Sequence, residues 1–221
     1  MFDMDGVIVD SEYLHEKAQD IVCKQFGLDV PKTVNPLFKG WTEDRVYEFI
    51  AEHFGTGSTT VENLVKAKHE AFASLSDELQ LMPGALSLVQ LLHEQSMPLG
   101  LVTSATKTDQ ERAFTKFGLA PYFSSVTTIE DVHLPKPDPQ PYLITAARLD
   151  APAEECIVIE DSKYGILSGL RAGCHVLGLT TTFPHQALQD AGAHAVFRSI
   201  AEIEAYLRTL LFPTSHEAQS A

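Results

Sequence analysis

The sequence predicts a mixed α/β fold, in which helices cover both faces of a parallel sheet and a helical insertion interrupts the pattern near the start of the chain. Two observations lead to this prediction. Four short apolar runs are each followed by a polar or glycine-bearing turn and a helix-like pattern, and strands that alternate with helices form parallel units. Between the first run and the second, a long segment shows helical periodicity and no convincing strand.

The apolar runs are predicted as buried strands at Met1 to Met4, Leu99 to Thr103, Cys156 to Glu160 and His175 to Leu179. One apolar helical face precedes the second run and another follows the third; their residues are Leu86, Leu88, Val89, Leu91 and Leu92, then Ile166, Leu167 and Leu170. Parallel sheets of this kind bind ligands beyond the carboxyl ends of their strands. The polar residues at these ends are therefore candidate site residues: Asp3, Asp5, Thr103, Ser104, Glu160 and Asp161.

The domain organisation follows from where the alternation stops. The helical insertion is predicted to span 13–81, so the α/β core consists of 1–12 and 82–212, and the polar segment 213–221 is predicted to be a disordered tail. The first strand is short, because only Met1 and Phe2 precede the first acidic residue. Either the strand continues after the acids or the natural start of the chain lies upstream.

Composition and charge exclude several classes of function. The 221 residues include 16 Lys and Arg against 30 Asp and Glu, a formal net charge of −14, which disfavours binding to nucleic acid or to a membrane. The three cysteines are far apart and form no CxxC pair, so neither a disulfide framework nor a structural zinc site is expected. Since no signal peptide or long apolar run is visible, we expect a cytoplasmic protein. The sequence leaves the oligomeric state open; for a chain of this size we expect a monomer.

Two aspartates stand two residues apart in the opening segment FDMDG. Residues two apart in an extended chain point to the same side, so the carboxylates of Asp3 and Asp5 are expected to repel each other beside an apolar core. A divalent cation would remove this repulsion, and Mg²⁺ prefers a few carboxylates together with phosphate oxygens. Asp161, at another strand end, is a candidate third ligand. Taken alone, such a pair is more often a solvated turn.

Three further motifs add polar groups at the same edge. LVTSA ends a run with Thr103 and Ser104, whose hydroxyl and backbone N–H could hold a phosphate oxygen. LPKPDP places Lys136 between prolines that restrict the backbone, so its ammonium is a fixed positive charge. IVIEDSKYGI ends a strand with Glu160 and Asp161. Singly, each motif has a simpler explanation, namely a helix cap or an exposed loop lysine.

Together and in this order, the motifs resemble those of the haloacid dehalogenase superfamily of aspartate-nucleophile phosphohydrolases. The matching segments are FDMDGV with Asp3 and Asp5, TS with Thr103, KPDP with Lys136, IEDSKYG with Glu160 and Asp161, and RAGCHVLGL. The resemblance spans nearly the whole chain and is nearest to β-phosphoglucomutase and the related sugar-phosphate phosphatases. It implies a Rossmann-like, doubly wound parallel-sheet core with a small α-helical cap domain inserted after the first motif.

The resemblance also implies a role for each matching residue. Asp3 would attack phosphorus and form an aspartyl-phosphate, and Asp5 would act as general acid and base. Thr103 and Lys136 would hold the transferring phosphoryl group. The implied Mg²⁺ ligands are Asp3, the backbone carbonyl of Asp5, Asp161 and, directly or through water, Glu160. The implied function is Mg²⁺-dependent hydrolysis of a small phosphorylated metabolite such as a sugar phosphate.

The segment FKGWTEDRV resembles the family's cap loop, which is expected to choose the substrate. The candidate substrate residues are Ser104 in the core and His15, Gly40, Trp41, Thr42 and Glu43 in the cap. Packing within the cap explains Trp41 equally well, and a surface position explains His15. The phosphoglucomutases resembled here carry a basic residue shortly after the glycine, and the phosphonoacetaldehyde hydrolases carry a Schiff-base lysine in this loop. Thr42 and Glu43 stand there instead, which favours hydrolysis of a monophosphate.

Three alternatives stay open. The first is phosphotransfer of the β-phosphoglucomutase type, which the missing basic residue disfavours. The second is halide release. Dehalogenases of this kind need no Mg²⁺ and generally lack the second aspartate, so the presence of Asp5 and Asp161 disfavours this alternative. The third is an inactive scaffold that binds a partner, although every motif residue is intact. The identity of the phosphorylated substrate is not predicted.

Overall fold

The structure is a computed structural model and describes residues 1–211; the predicted tail at 213–221 lies outside them. The chain forms two compact units. The α/β unit consists of Met1–Val9 together with the chain from Leu81 onward, and the helical unit is Asp10–Gln80.

Short strands, ten α-helices and several 3-10 turns make up the regular structure of residues 1–211. The strands are β1 (Val9–Asp10), β2 (Gln80–Leu81), β3 (Gly100–Val102), β4 (Ser125–Thr127), β5 (Ile157–Glu160), β6 (His175–Leu179) and β7 (Ala195–Phe197). The helices are α1 (Glu12–Phe26), α2 (Asn35–Phe38), α3 (Glu43–Phe54), α4 (Val61–Ser74), α5 (Ala85–Glu94), α6 (Lys107–Phe117), α7 (Gln140–Arg148), α8 (Lys163–Arg171), α9 (His185–Asp190) and α10 (Ile200–Leu211).

A parallel sheet forms the centre of the α/β unit. Strand β3 pairs with β4, and β5, β6 and β7 pair in that order, all in parallel. Phe2 joins the two groups, because it forms parallel bridges to Leu101 of β3 and Ile159 of β5. Helix α7 packs against β3 and β4, α8 against β5 and β6, and α9 against β6 and β7. The predicted mixed α/β fold with a parallel sheet is confirmed.

The predicted first strand at Met1 to Met4 was wrong in its extent. Only Phe2 forms bridges; its N–H donates to the Gly100 carbonyl at 2.8 Å and its carbonyl accepts from the Val102 N–H at 2.8 Å. The chain then turns, with the N–H groups of Ile8 and Val9 donating to the Met4 carbonyl. The strand therefore does not continue past the acidic residues. Instead of a four-residue strand, the single residue Phe2 pairs with a strand on each side.

Four other strands were not predicted. Strands β4 and β7 have three residues each and pair on one side only among residues 1–211, so their sequences carry no long apolar run. Strands β1 and β2 have two residues each and pair with each other. The second of these lies inside the segment that was expected to contain no strand.

The helical unit has its own apolar core. Helix α4 packs against α1 and α3, and the side chains of Val22, Ile50 and Leu64 are fully buried between them. Helix α3 begins after Thr42, whose Oγ1 accepts a hydrogen bond from the Arg45 N–H at 3.5 Å. Within residues 1–211, no helix has both the length and the apolar character needed to cross a membrane.

Candidate active site

Lys136 lies at the centre of the candidate site. Its Nζ donates hydrogen bonds to Asp3 Oδ1 at 2.6 Å, to Glu160 Oε1 at 2.7 Å and to the Val102 carbonyl at 3.0 Å, which uses all three ammonium donors. Burial by itself lowers the pKa of Lys136, but the carboxylates of Asp3 and Glu160 outweigh this effect and raise the pKa above its ordinary value. Lys136 is therefore a fixed cation at neutral pH.

The parallel sheet explains why these groups meet. Asp3 follows the bridging residue Phe2, Val102 ends β3, and Glu160 ends β5. Because Phe2 pairs with both neighbouring strands, all three carboxyl ends lie at one edge of the sheet. Lys136 reaches this edge from the segment that precedes α7.

Glu160 is held by more donors than any other residue of the site. Its side chain is fully buried. Oε1 accepts from Lys136 and from the Tyr142 hydroxyl at 2.9 Å. Oε2 accepts from the N–H groups of Asp161 and Ser162, each at 3.1 Å, and from the Ser162 hydroxyl at 2.9 Å. A carboxylate offers about four lone-pair sites, so these contacts favour Glu160 as an anchor for Lys136 over a direct metal ligand.

A glycine in the first turn of α8 leaves room for this carboxylate. The Gly165 N–H donates to the Ser162 hydroxyl at 3.0 Å, which caps the helix. A Cβ atom at Gly165 would lie 1.7 Å from Glu160 Oε1. No other residue type could occupy position 165 without displacing the anchor.

Three buried carboxylates lie close enough to hold a metal ion. One oxygen each from Asp3, Glu160 and Asp161 falls within 4.8 Å of the others. Burial raises the pKa of Asp161 well above its ordinary value, and the charges of Asp3 and Glu160 raise it further. Burial also raises the pKa of Asp3; Lys136 opposes this shift, and Glu160 and Asp5 add to it. These raised pKa values indicate that, when all three carboxyl groups are ionised, the nearby positive charge does not neutralise them.

The chemistry of this donor set fits a divalent cation such as Mg²⁺. When ionised, three carboxylates (−3) and Lys136 (+1) sum to −2. Among the described residues, no lysine or arginine contacts Asp161, so its buried charge has no ionic partner in the chain. The candidate side-chain ligands are all carboxylate oxygens and the backbone carbonyl of Asp5 is a further candidate, so every donor is an oxygen, as Mg²⁺ prefers.

The other predicted residues of the core differ in their burial: Thr103 is buried, Asp5 is partly exposed and Ser104 is exposed. Thr103 is buried directly after β3, and its Oγ1 accepts from the Ala105 N–H at 2.9 Å. Asp5 is partly exposed, and its bridge to Val9 lies in the turn after Asp3. The side chain of Ser104 is exposed and makes no hydrogen bond with any residue in 1–211.

The predicted cap residues all lie in the helical unit. His15, Glu43, Lys68 and His69 form a charged cluster: Lys68 Nζ is 2.9 Å from His15 Nδ1 and 3.2 Å from Glu43 Oε1. His69 Nε2 is 2.5 Å from Glu43 Oε2. Burial favours a higher pKa for Glu43, but His69 and Lys68 outweigh it and lower the pKa to about 2. Glu43 therefore keeps its negative charge where the resembled mutases carry a basic residue.

Trp41 packs among aromatic side chains of the same unit. Its ring centroid is 5.9 Å from that of Phe38 and 5.7 Å from that of Phe49. The Arg45 guanidinium lies 4.3 Å from its centroid. Gly40, just before it, has a φ of +76°, which glycine adopts without strain. Packing thus accounts for Trp41, and substrate roles for the cap residues stay predictions.

Four residues of the site were missed by sequence reasoning. Tyr142 and Ser162 donate to Glu160, and Thr181 and Thr182 contact Asp161. Tyr142 is fully buried in α7, so in the sequence it cannot be told from an ordinary core residue of that helix. The two threonines follow β6, whose bounds were predicted, and the rule that ligands bind at carboxyl ends could have found them.

The chain matches known proteins over most of its length. The family model described as haloacid dehalogenase-like hydrolase matches residues 1–179. Validoxylamine A 7'-phosphate phosphatase of Streptomyces hygroscopicus subsp. limoneus is 31% identical over 193 residues, which cover 86% of this chain and 89% of that protein. Hexitol phosphatase A of Escherichia coli (strain K12) is 31% identical over 182 residues, 81% of each chain.

A solved structure shares the fold. The crystal structure of CbbY from Rhodobacter sphaeroides in complex with phosphate superposes with a TM-score of 0.81 at 23% identity, covering 91% of this chain and 94% of that one. The family match extends over far more than half of the 221 residues. The predicted family is therefore confirmed: the chain belongs to the haloacid dehalogenase-like hydrolases.

Proposed function

We propose that the protein is a Mg²⁺-dependent phosphatase that releases phosphate from a small phosphorylated metabolite, with Asp3 as the nucleophile. One observation carries the proposal. Lys136 holds Oδ1 of the buried Asp3 at 2.6 Å, while Oδ2 accepts no hydrogen bond from the described residues. Phosphoryl transfer depends mainly on positioning and on neutralising spread negative charge, and Asp3 is positioned beside a fixed cation.

In the first step, a carboxylate oxygen of Asp3 bonds to phosphorus as the bond from phosphorus to the ester oxygen breaks. Asp5 gives its proton to the leaving alkoxide. In the second step, water attacks the same phosphorus, Asp5 takes the proton of the water, and the bond from Asp3 to phosphorus breaks. The products are the alcohol and inorganic phosphate, and both aspartates return to their starting states.

The remaining residues bind and neutralise charge. Thr103 would hold a phosphoryl oxygen through its hydroxyl. Lys136, whose three donors are used within the chain, would attract the phosphoryl group through its charge, which also offsets the charge of Asp3 so that a carboxylate can approach a phosphate. Bound Mg²⁺ would supply further positive charge to the phosphoryl oxygens. The residues proposed to hold Mg²⁺ are Asp3, Asp161 and the backbone carbonyl of Asp5, with Glu160 supporting them through its contacts.

A phosphorylated sugar or sugar alcohol is the substrate class that we propose. The name of hexitol phosphatase A refers to a sugar alcohol, and the two relatives described above are both named as phosphatases. We assign the helical unit as the substrate-selecting cap. Position 43 of this unit is an acid, held by Lys68 and His69, where the resembled mutases carry a basic residue, so hydrolysis of a monophosphate is favoured over mutase chemistry.

The test is phosphate release from a panel of phosphorylated sugars, sugar alcohols and nucleotides, with Mg²⁺ and with excess chelator. Asp3→Asn is the main variant, and Asp190→Asn, an exposed acid of α9, is the matched control. We expect Asp3→Asn to lower kcat by about three orders of magnitude or more, and Asp190→Asn to match the wild type. Turnover that persists in Asp3→Asn or in chelator contradicts the proposal, and isomerisation of a sugar phosphate without phosphate release supports the mutase alternative.

A further inference from the structure

The loop after β6 contacts Asp161 through two hydroxyl groups. Thr182 Oγ1 donates a hydrogen bond to Asp161 Oδ2. Thr181 Oγ1 lies 3.2 Å from the same oxygen and 2.6 Å from the Gly6 carbonyl. Because a hydroxyl carries one proton, Thr181 donates to one of these two acceptors at a time. Thr182 thus donates to Oδ2, and Thr181 does so only when it does not donate to the Gly6 carbonyl, while Asp161 Oδ1 accepts no hydrogen bond from residues 1–211.

The backbone at Gly6 closes the other side of this oxygen. A Cβ atom at Gly6 would lie 1.9 Å from Asp161 Oδ2 and 3.1 Å from Thr182 Oγ1. Gly6 also has a φ of +76°, so this position accepts other residues poorly for two separate reasons. Asp161 Oδ2 is therefore enclosed by a glycine backbone and two hydroxyls, which restricts rotation of the carboxylate.

The donors that hold Asp161 are neutral, unlike those that hold the other two acids. Asp3 and Glu160 share the ammonium of Lys136, whereas the side-chain contacts of Asp161 within the described residues are with Thr181 and Thr182. A lysine in their place would cancel the negative charge of Asp161. Hydroxyls fix its orientation and leave that charge available.

We propose that Thr181 and Thr182 are positioning residues that orient Asp161 for the divalent cation and so raise the affinity for it. The inference rests on the proposed function, because the cation is the one proposed there. Ligating carboxylates are themselves hydrogen-bonded, and loss of such outer partners typically costs 10–100-fold in metal affinity. Thr181 and Thr182 fill this outer position for Asp161.

The test measures Mg²⁺ binding directly by isothermal titration calorimetry on the full chain. Thr182→Val removes the hydroxyl at nearly constant shape, and we expect the Kd for Mg²⁺ to rise by about 10-fold or more. Thr182→Ser keeps the hydroxyl and is expected to retain wild-type affinity. Thr180→Val is the matched control, because the Thr180 hydroxyl makes no hydrogen bond with the described residues while its N–H pairs with Phe197.

Each outcome decides the inference. Wild-type affinity in both Thr182→Val and Thr181→Val overturns it, as does an equal loss in Thr182→Ser or a wild type that binds no Mg²⁺. Far-UV circular dichroism checks folding; if Thr182→Val does not fold, Thr181→Val decides, because Thr181 is exposed. A wild type that binds Mg²⁺ but releases no phosphate contradicts the proposed function, and the affinities still decide the role of the threonines.

Discussion

Lys136 Nζ lies 2.6 Å from Asp3 Oδ1 although 133 positions separate the two residues in the chain. The same ammonium lies 2.7 Å from Glu160 Oε1, so one cation separates two buried carboxylates. Breaking a buried ion pair by removing one partner is strongly destabilising, because the other charge stays buried without compensation. Lys136 thus compensates two buried charges in the folded chain, and we propose that it serves the chemistry as well.

Replacing Lys136 with methionine is expected to lower both stability and activity. The free energy of unfolding should fall by about 3–5 kcal/mol, because Asp3 and Glu160 then repel each other in a buried site. The kcat should fall by about 100-fold or more, since a group that offsets the phosphoryl charge is lost. Urea unfolding and phosphate release measure the two effects. Lys66→Met, at an exposed position of α4, is the control, and equal stability of the two variants would contradict the prediction.

Replacing Tyr142 with phenylalanine tests how the Glu160 anchor is held. Burial raises the pKa of Tyr142 well above its ordinary value, and the Glu160 charge raises it further, so the hydroxyl remains a donor. Loss of a hydrogen bond to a charged group should lower the free energy of unfolding by about 1.5–3 kcal/mol. Chemical denaturation measures the change. In the control Tyr164→Phe, the lost hydroxyl makes no hydrogen bond with residues 1–211, and a loss as large as that of Tyr142→Phe would refute the argument.

Replacing Gly165 with alanine tests the room left for Glu160. The added methyl group would overlap the carboxylate, whose Oε1 lies 1.7 Å from the Cβ position. We expect a loss of about 1–3 kcal/mol in unfolding free energy, the usual cost of overpacking. A double-mutant cycle with Glu160→Ala separates the overlap from other effects. The double variant should lose less than the sum of the single variants, whereas simple additivity would show that the two side chains do not collide.

We expect the free energy of unfolding to fall in acid because of His15, a member of the charged cluster in the helical unit. An ammonium has no lone pair, so His15 Nδ1 accepts from Lys68 and must be unprotonated. Burial, and then the Lys68 charge, lower the pKa of His15 to about 3, although Glu43 opposes the shift. Below the ordinary histidine pKa of 6.5, the unfolded chain binds a proton that the folded chain does not. Stability from this source is therefore complete above pH 6.5 and falls as the pH drops towards 3.

Urea unfolding between pH 7 and pH 4 checks this prediction. His15→Gln cannot take up the proton and should lose less stability on acidification than the wild type, with a difference of at most about 1.4 kcal/mol per pH unit. His185→Gln, at an exposed position of α9, is the control. Parallel pH profiles for His15→Gln and the wild type would rule out His15 as the source.

Local patterns predicted the positions of the acids and hydroxyls at strand ends. Thr103 directly follows β3, and Glu160 ends β5 with Asp161 next, as the apolar runs indicated. Strands buried on both faces consist of continuous apolar residues, so their ends are visible in the sequence. Strands β4 and β7 were missed because a three-residue edge strand needs no such run. Their existence depends on the neighbours β3 and β6, which only the folded chain supplies.

By itself, the sequence determined the family, the α/β pattern and the candidate acids, because each motif and each apolar run lies within a short stretch of the chain. The pairing of Lys136 with Asp3 was expected from the resemblance, and the structure shows it. Only the tertiary structure showed that the same ammonium also binds Glu160 and that Asp161 contacts Thr181 and Thr182 instead of a cation. These contacts join residues 20 to 133 positions apart. Apolar periodicity and turn propensity extend over only a few residues, so neither carries information across such distances.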